Sequence, residues 1–289
     1  MTRELRAELV VDAKARLGEG PLWDHRDRVL WWLDVEGQRI HRLDPSSGES
    51  TSLQVATKVS ALALRRAGGL VAAVADGFAA VGADGSLEQL ASVQHADPEG
   101  RMNDGKCDSS GRFWAGSMSM SGPLGVLYRL DPGGAVRTML SDVSISNGMA
   151  WAADDKTMYY IDTLAGGVDA FDFDAASGDI SARRRFIEIP DPAYPDGMAI
   201  DDEGFLWVAL WGGWAVNRYS PGGDLDCTVR VPAAHVTSCA FGGDDLDVLY
   251  VTTASMGLAT EARGAQRLAG GLFALRPGVR GVASNAFAG

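Results

Sequence analysis

Along the chain, short apolar runs rich in β-branched and aromatic residues recur between polar stretches and are bounded by Gly, Asp, Pro or Ser, as in VLWWLDVEGQRIHRLDPSSGE, MYYIDTLAGGVDAFDFDAASGD and LWVALWGGWAVNRYSPGGD. Such runs predict strands, and no stretch sustains a 3.6-residue period. The fold class is expected to be all-β.

The pattern also repeats. The segments EGPLWDHRD, SALALRRAG, NDGKCDSSG, NGMAWAADD, DGMAIDDEG and TSCAFGGDD align without gaps from Glu19, Ser60, Asn103, Asn147, Asp196 and Thr237, at spacings of 41, 43, 44, 49 and 41 residues. Four places after each start stands a large apolar residue or cysteine: Trp23, Leu64, Cys107, Trp151, Ile200 and Phe241. A turn residue follows, and then a second strand around Trp31, Val71, Trp114, Tyr159, Trp207 and Tyr250. Each unit is a hairpin followed by further strand, and a repeat of about 45 residues matches a four-stranded propeller blade. Six such units predict that residues 1–289 form a single six-bladed β-propeller with a central channel. Glu8-Leu-Val-Val-Asp and the late segment GGLFALRPG are expected to supply strands to one blade, closing the ring without a free sheet edge. No Pro/Ser-rich or charged run offers a linker between two domains.

In a propeller the innermost strand of each blade lines the channel, so equivalent positions form a ring around one axis. Here that ring is Glu19, Ser60, Asn103, Asn147, Asp196 and Thr237, every one with a side-chain oxygen. Three places on, the chain carries small residues such as Ala63, Ala150, Ala199 and Ala240. Two carboxylates and two carboxamides converging on one axis repel or stay unsatisfied without a cation. Hard divalent cations prefer such an oxygen set. Taken singly, Glu-Gly, Asn-Gly and Asp-Gly are ordinary turn pairs; their common register is what argues for a metal site.

Second strands run back, so their ends near Asp34, Ala75, Met118, Asp162, Trp211 and Thr252 are expected on the same face as the ring, with the loops after them walling a pocket. Arg101 lies just ahead of Asn103, within reach of a substrate hydroxyl or ring oxygen. Trp211 and Trp214 could offer an indole face, with at least one of them buried in its blade. Lys106 stands where other units carry Leu or Ala and is expected between blades, paired with a carboxylate. His235 is read as a support for the site or as a solvated loop residue.

Composition narrows the partners. A net charge of −12 repels phosphate backbones and anionic lipid, so neither nucleic acid nor a membrane surface is an expected partner, and a small molecule is. The polar opening lacks an apolar targeting segment, and no apolar run of about 18 residues follows, so a soluble, cytoplasmic protein is expected. Three cysteines without a CxxC pair fit a reducing compartment, and four scattered histidines give no zinc-ligand spacing. Without a Gly-x-Ser-x-Gly elbow, covalent catalysis is not expected.

The motifs LGEGPLW, RMNDGKCDSSGRFWAGSM, SISNGMAW, YPDGMAIDDEGFLWVALWGG and TSCAFGG resemble, in order and over the full length, the gluconolactonase family that includes regucalcin, or senescence marker protein. The resemblance implies one divalent ion (Ca, Mg, Mn or Zn) held by Glu19, Asn147 and Asp196, with Arg101 and Asn103 contacting the substrate. The implied reaction is hydrolysis of a sugar-derived lactone to its aldonic acid. An ion with three protein ligands keeps positions for water and the lactone carbonyl, and Asp196 is the candidate general base. An acidic residue that some relatives carry after the segment matching Gly116-Ser117-Met118 has no counterpart, since Ser119, Met120 and Ser121 follow. Broad selectivity among five- and six-carbon aldonolactones is therefore expected, and nothing along the chain suggests an apolar channel. An organophosphate or aryl-ester hydrolase and a non-enzymatic calcium-binding protein are the alternative readings. The sequence does not indicate an oligomeric state.

Overall fold

Residues 2–289 are described by a computed structural model. Each of the first four units folds as a four-stranded antiparallel sheet in sequence order, as in Gly18–Asp24, Val29–Asp34, Arg39–Asp44 and Glu49–Gln54 of the first. The remaining strands form one nine-stranded sheet. It contains the meander Tyr194–Ile200, Leu206–Trp211, Ala215–Tyr219 and Leu225–Arg230, with Arg3–Arg6 added in parallel on the outside. It also contains His235–Gly242, Val248–Ala254 and Leu272–Leu275, and the two groups meet at a single bridge between Trp211 and His235. The array is all-β and propeller-like, apart from a 3₁₀ turn at Thr163–Ala165 and a short helix at Thr260–Ala265.

The expected closure is present. Glu8–Val11 pairs antiparallel with Leu272–Leu275, so the two ends of the chain share a sheet. The parallel pairing of Arg3–Arg6 with Leu225–Arg230 adds a second tie that the repeat pattern did not announce.

The first strands of the six units are Gly18–Asp24, Val59–Leu64, Arg101–Cys107, Ser146–Trp151, Tyr194–Ile200 and His235–Gly242. Each touches the next, and the last returns to the first, which places all six around one axis. Apolar faces of neighbouring sheets bury against one another; Trp114, Met149, Trp151, Tyr160 and Phe173 form one such layer between the third and fourth units. Trp32, Trp114 and Trp207 are fully buried anchors on the second strands. Two of them are tied by acceptors in the preceding turn: Trp114 Nε1 donates to Asp108 at 2.8 Å and Trp207 Nε1 to Asp201 at 2.9 Å.

Packing near the axis explains glycines that the sequence alone reads as turn residues. Gly148 and Gly197 lie inside strands, not in turns. A Cβ on Gly148 would come within 2.8 Å of Asp196 O and 2.7 Å of Met198 N, and one on Gly197 within 2.9 Å of Ser238 Cα. The glycines let adjacent inner strands approach closely at the point where Asn147 and Asp196 must converge.

Candidate functional site

All six inner strands depart from regular pairing at the same place. The ladder shifts between Glu19 and Leu22, Val59 and Ala61, Met102 and Gly105, Ser146 and Met149, Pro195 and Met198, and Val236 and Ser238. A bulge frees a residue from the ladder and re-aims its side chain. In five units the residue at the first register position lies within that break, and Glu19, paired with Leu33, stands at its edge.

The ring then divides. Glu19, Asn103, Asn147 and Asp196 line one pocket with Arg101, whereas the two hydroxyl residues bond to neighbouring backbone. Ser60 Oγ donates to Ala73 O at 3.3 Å and Thr237 Oγ1 to Gly18 O at 2.6 Å. All five sequence-predicted site residues are thus brought together, and Ser60 and Thr237 are structural.

Hydrogen bonds orient the floor. Asn147 Nδ2 donates to Thr163 Oγ1 at 2.7 Å, and Thr163 Oγ1 donates to Pro195 O at 2.9 Å. Asn103 Nδ2 donates to Ser146 O at 2.8 Å and lies 3.3 Å from Asn147 Oδ1. Arg101 Nη1 donates to Asn103 Oδ1 and Met102 O, both at 2.8 Å. Two carboxylates at the ends of second strands fix the chain ahead of the floor. Asp34 accepts from the amides of Arg16 and Leu17 at 3.1 and 3.0 Å, and Asp162 from those of Ser144 and Ile145, both at 3.0 Å.

Burial and repulsion between carboxyls dominate the electrostatics of the floor. Burial, followed by repulsion from Asp104, pushes the Glu19 carboxyl above the usual carboxylate range. Burial, followed by repulsion from Glu19 and Asp104, does the same to Asp196. The charge of Arg101 is the weakest of the influences on either carboxyl. Glu19 accepts one hydrogen bond, from Gly20 N at 3.1 Å. Among the described residues no group of three or more His, Cys, Asp and Glu side chains is arranged to hold a metal. The candidate set is two carboxylates and two carboxamides, an all-oxygen set whose unbalanced negative charge fits a divalent cation. Glu19, Asn147 and Asp196 are the residues that would hold it.

Residues missed by sequence reasoning act around this floor. Thr163, which directs Asn147, directly follows the second-strand end Asp162, so the register held a signal for it. Asp104, beside Asn103, faces a separate cavity of about 100 Å³ along the axis, lined also by Lys106, Trp151, Ser238 and Cys239. Burial raises the Asp104 pKa and lowers that of Lys106. Lys106 Nζ donates to Met198 O at 2.8 Å on another inner strand. The expected carboxylate partner is Asp104, whose charge favours the ammonium, but no direct salt bridge joins the two among the described residues.

Second-strand ends and loops do wall the pocket, as expected, but with different chemistry. Met118, Met120, Ile145, Leu164, Tyr194 and Met256 surround the mouth of a cavity of about 310 Å³. An apolar wall is present that no local pattern indicated. Trp211 lines it as well, stacked on His235 with ring centroids 3.9 Å apart, while His235 Nδ1 pairs with Met256 O at 3.0 Å. His235 therefore supports the wall. Neither Trp211 nor Trp214 is buried; the buried tryptophan of that unit is Trp207.

A propeller-like all-β array with an oxygen-lined pocket at one end of its axis defines the class of protein. The description "SMP-30/Gluconolactonase/LRE-like region" belongs to a family pattern that matches residues 17–255, and the chain is a member of that family. It is 40% identical to regucalcin of Xenopus laevis, over 99% of both chains. It is 39% identical to the putative sugar lactone lactonase YvrE of Bacillus subtilis, over 98% of this chain and 99% of that one. Among solved structures, a calcium-binding protein, regucalcin, from Agrobacterium tumefaciens matches with a TM-score of 0.94 at 29% identity, over 99% of each chain. Family membership supports lactone hydrolysis. No described helix is long and apolar enough to cross a membrane.

Proposed function

We propose that residues 1–289 form one six-bladed propeller and that it is a metal-dependent lactonase, opening a sugar-derived lactone to the hydroxy acid. The observation that carries this reading is the floor itself: Glu19, Asn103, Asn147, Asp196 and Arg101 in one pocket, with two buried carboxyls that repel each other. The closed cycle of inner strands supports the six-blade count, with the nine-stranded sheet as two blades sharing one bridge.

Glu19, Asn147 and Asp196 hold one divalent ion, and the calcium-binding regucalcin of A. tumefaciens favours calcium. When bound, the ion supplies Lewis-acid polarisation of the lactone carbonyl and a water of lowered pKa. Asp196 takes the proton of the attacking water as general base. Water oxygen bonds to the carbonyl carbon, the ring C–O bond breaks, and the ring oxygen takes up the proton held by Asp196 and leaves as the product hydroxyl. Arg101 uses Nη1 to grip Asn103 and Met102, so its Nε and Nη2 are available to orient the lactone and offset charge developing on the carbonyl oxygen. The three cysteines are all buried and free, which is compatible with a cytoplasmic setting.

Calcium calorimetry and steady-state kinetics on galactono-1,4-lactone test the reading. Glu19→Gln, Asn147→Ala and Asp196→Asn should each weaken metal binding and turnover, whereas Arg101→Ala should lower kcat/KM with metal affinity near wild type. Metal affinity unchanged in all three ligand variants rejects the site. Tight calcium binding without turnover of any lactone would favour a non-enzymatic calcium-binding protein.

A further inference from the structure

The cavity of about 310 Å³ carries two polar groups that the proposed reaction leaves unused, the Tyr194 hydroxyl and the Trp211 indole N–H. Other polar groups nearby are engaged. Thr163 Oγ1 is held between Asn147 and Pro195. In the loop after Met118, Ser119 Oγ turns away to donate to Asp97 at 2.6 Å, so that loop offers the cavity no polar side chain.

The sheet places both groups. Tyr194 opens the inner strand Tyr194–Ile200, two residues ahead of Asp196, and pairs directly with Trp211 at the end of Leu206–Trp211. Facing residues of an antiparallel pair hold their Cβ atoms about 4.5–5.5 Å apart, so the two side chains act at one spot. Two residues of strand span roughly 7 Å, a reach comparable to that of a five-membered lactone from its carbonyl to its exocyclic hydroxyls. The indole is held by its stack on His235, at 3.9 Å between centroids and 8° between planes, and His235 Nδ1 is itself paired with Met256 O at 3.0 Å. Among the described residues neither the phenol nor the indole N–H has a hydrogen-bond partner, and Tyr194 is 42% exposed.

Their chemistry suits a neutral, hydroxylated ligand. An indole N–H only donates, a phenol donates or accepts, and neither brings a charge that would favour an ionised group. Below them Met118, Ile145, Leu164 and Met256 offer apolar surface to the C–H faces of a ring. A sugar lactone presents both kinds of surface, and a mostly apolar lining with a few placed polar groups is how small-molecule pockets fix orientation.

We infer that Tyr194 and Trp211 form a distal subsite that binds the hydroxyls farthest from the lactone carbonyl, and that this pair sets the preference for hydroxylated lactones. The inference rests on the lactonase reading and names the residues that decide its selectivity.

The test compares galactono-1,4-lactone with γ-butyrolactone, which has no hydroxyl, on the calcium-loaded protein with acid release followed by a pH indicator. Wild type should prefer galactono-1,4-lactone by at least tenfold in kcat/KM. Tyr194→Phe and Trp211→Phe, which keep a ring and remove one polar group each, should each lower that ratio by about three- to tenfold, the worth of one neutral hydrogen bond. The loss should fall mainly on KM, as expected where substrate and transition state are gripped alike. A wild-type ratio near one, or equal losses on both lactones in both variants, overturns the inference while leaving lactone hydrolysis intact. Calorimetry with the product acids reads the subsite without turnover: galactonate should bind wild type more tightly than 4-hydroxybutyrate, and Tyr194→Phe should narrow that gap by about three- to tenfold. Equal affinities in wild type, or a gap unchanged in Tyr194→Phe, overturn the inference. If no lactone is opened, the lactonase reading fails, and the galactonate titration alone judges the subsite.

Discussion

Thr163 offers the sharpest test of how the floor is built, because one hydroxyl serves two inner strands. It accepts from Asn147 Nδ2 at 2.7 Å and donates to Pro195 O at 2.9 Å, one residue before Asp196. Thr163→Val keeps the shape and removes both bonds, leaving a buried amide N–H and a buried carbonyl unpaired. Each such group costs about 1–3 kcal/mol, so with partial relaxation a loss of about 2–4 kcal/mol of stability is expected. The same change releases the Asn147 amide from its fixed orientation. Loss of an outer partner that orients a ligand typically costs about 10–100-fold in metal affinity. Urea unfolding and calcium calorimetry measure the two effects, and Thr163→Ser, which retains the hydroxyl, should restore both. A Thr163→Val protein with the wild-type urea midpoint and wild-type calcium affinity would refute the reasoning. Lost stability with intact affinity would limit Thr163 to packing.

Two further outcomes follow from particular contacts. Gly148→Ala places a methyl against backbone atoms of the neighbouring inner strand at 2.7 and 2.8 Å, which cannot move aside as a side chain can. Overpacking of this kind costs about 1–3 kcal/mol, and it should also weaken calcium binding; an unchanged urea midpoint would contradict the close-approach role. His41 is stacked on Trp32 at 4.1 Å, its Nε2 is buried without a partner, and burial lowers its pKa from 6.5 to about 4. Since the folded value lies below the unfolded one, the unfolded chain takes up the proton first, and stability is lost as pH falls from about 6.5 toward about 4. After allowance for partial exposure the loss is about 2 kcal/mol. His41→Phe should flatten that slope in urea unfolding between those values, and an identical slope in both proteins would rule His41 out.

The sequence by itself determined the strands, their repeated four-stranded grouping and the residues that meet in the pocket. Apolar runs and turn residues are local properties, and a repeat converts a local position into a shared place on the axis. That is why Glu19, Asn103, Asn147 and Asp196 could be nominated from register alone, and why the pairing of Glu8–Val11 with Leu272–Leu275 was foreseeable from two unassigned apolar segments. Tertiary structure decided what register cannot carry. Ser60 and Thr237 share the register but bond to Ala73 and Gly18, because carbonyls of nearby strands lie closer than the pocket. Lys106 likewise donates to the carbonyl of Met198. The chemistry of the wall was hidden most completely: register placed Met118 and the loops after Asp162 and Thr252 at the rim, but it did not say that these positions would carry apolar side chains, nor that Ile145 and Tyr194, from the chain entering two inner strands, would join them. Asp34 holds Leu17 and Asp162 holds Ile145 through contacts between separate strands, which no local pattern encodes.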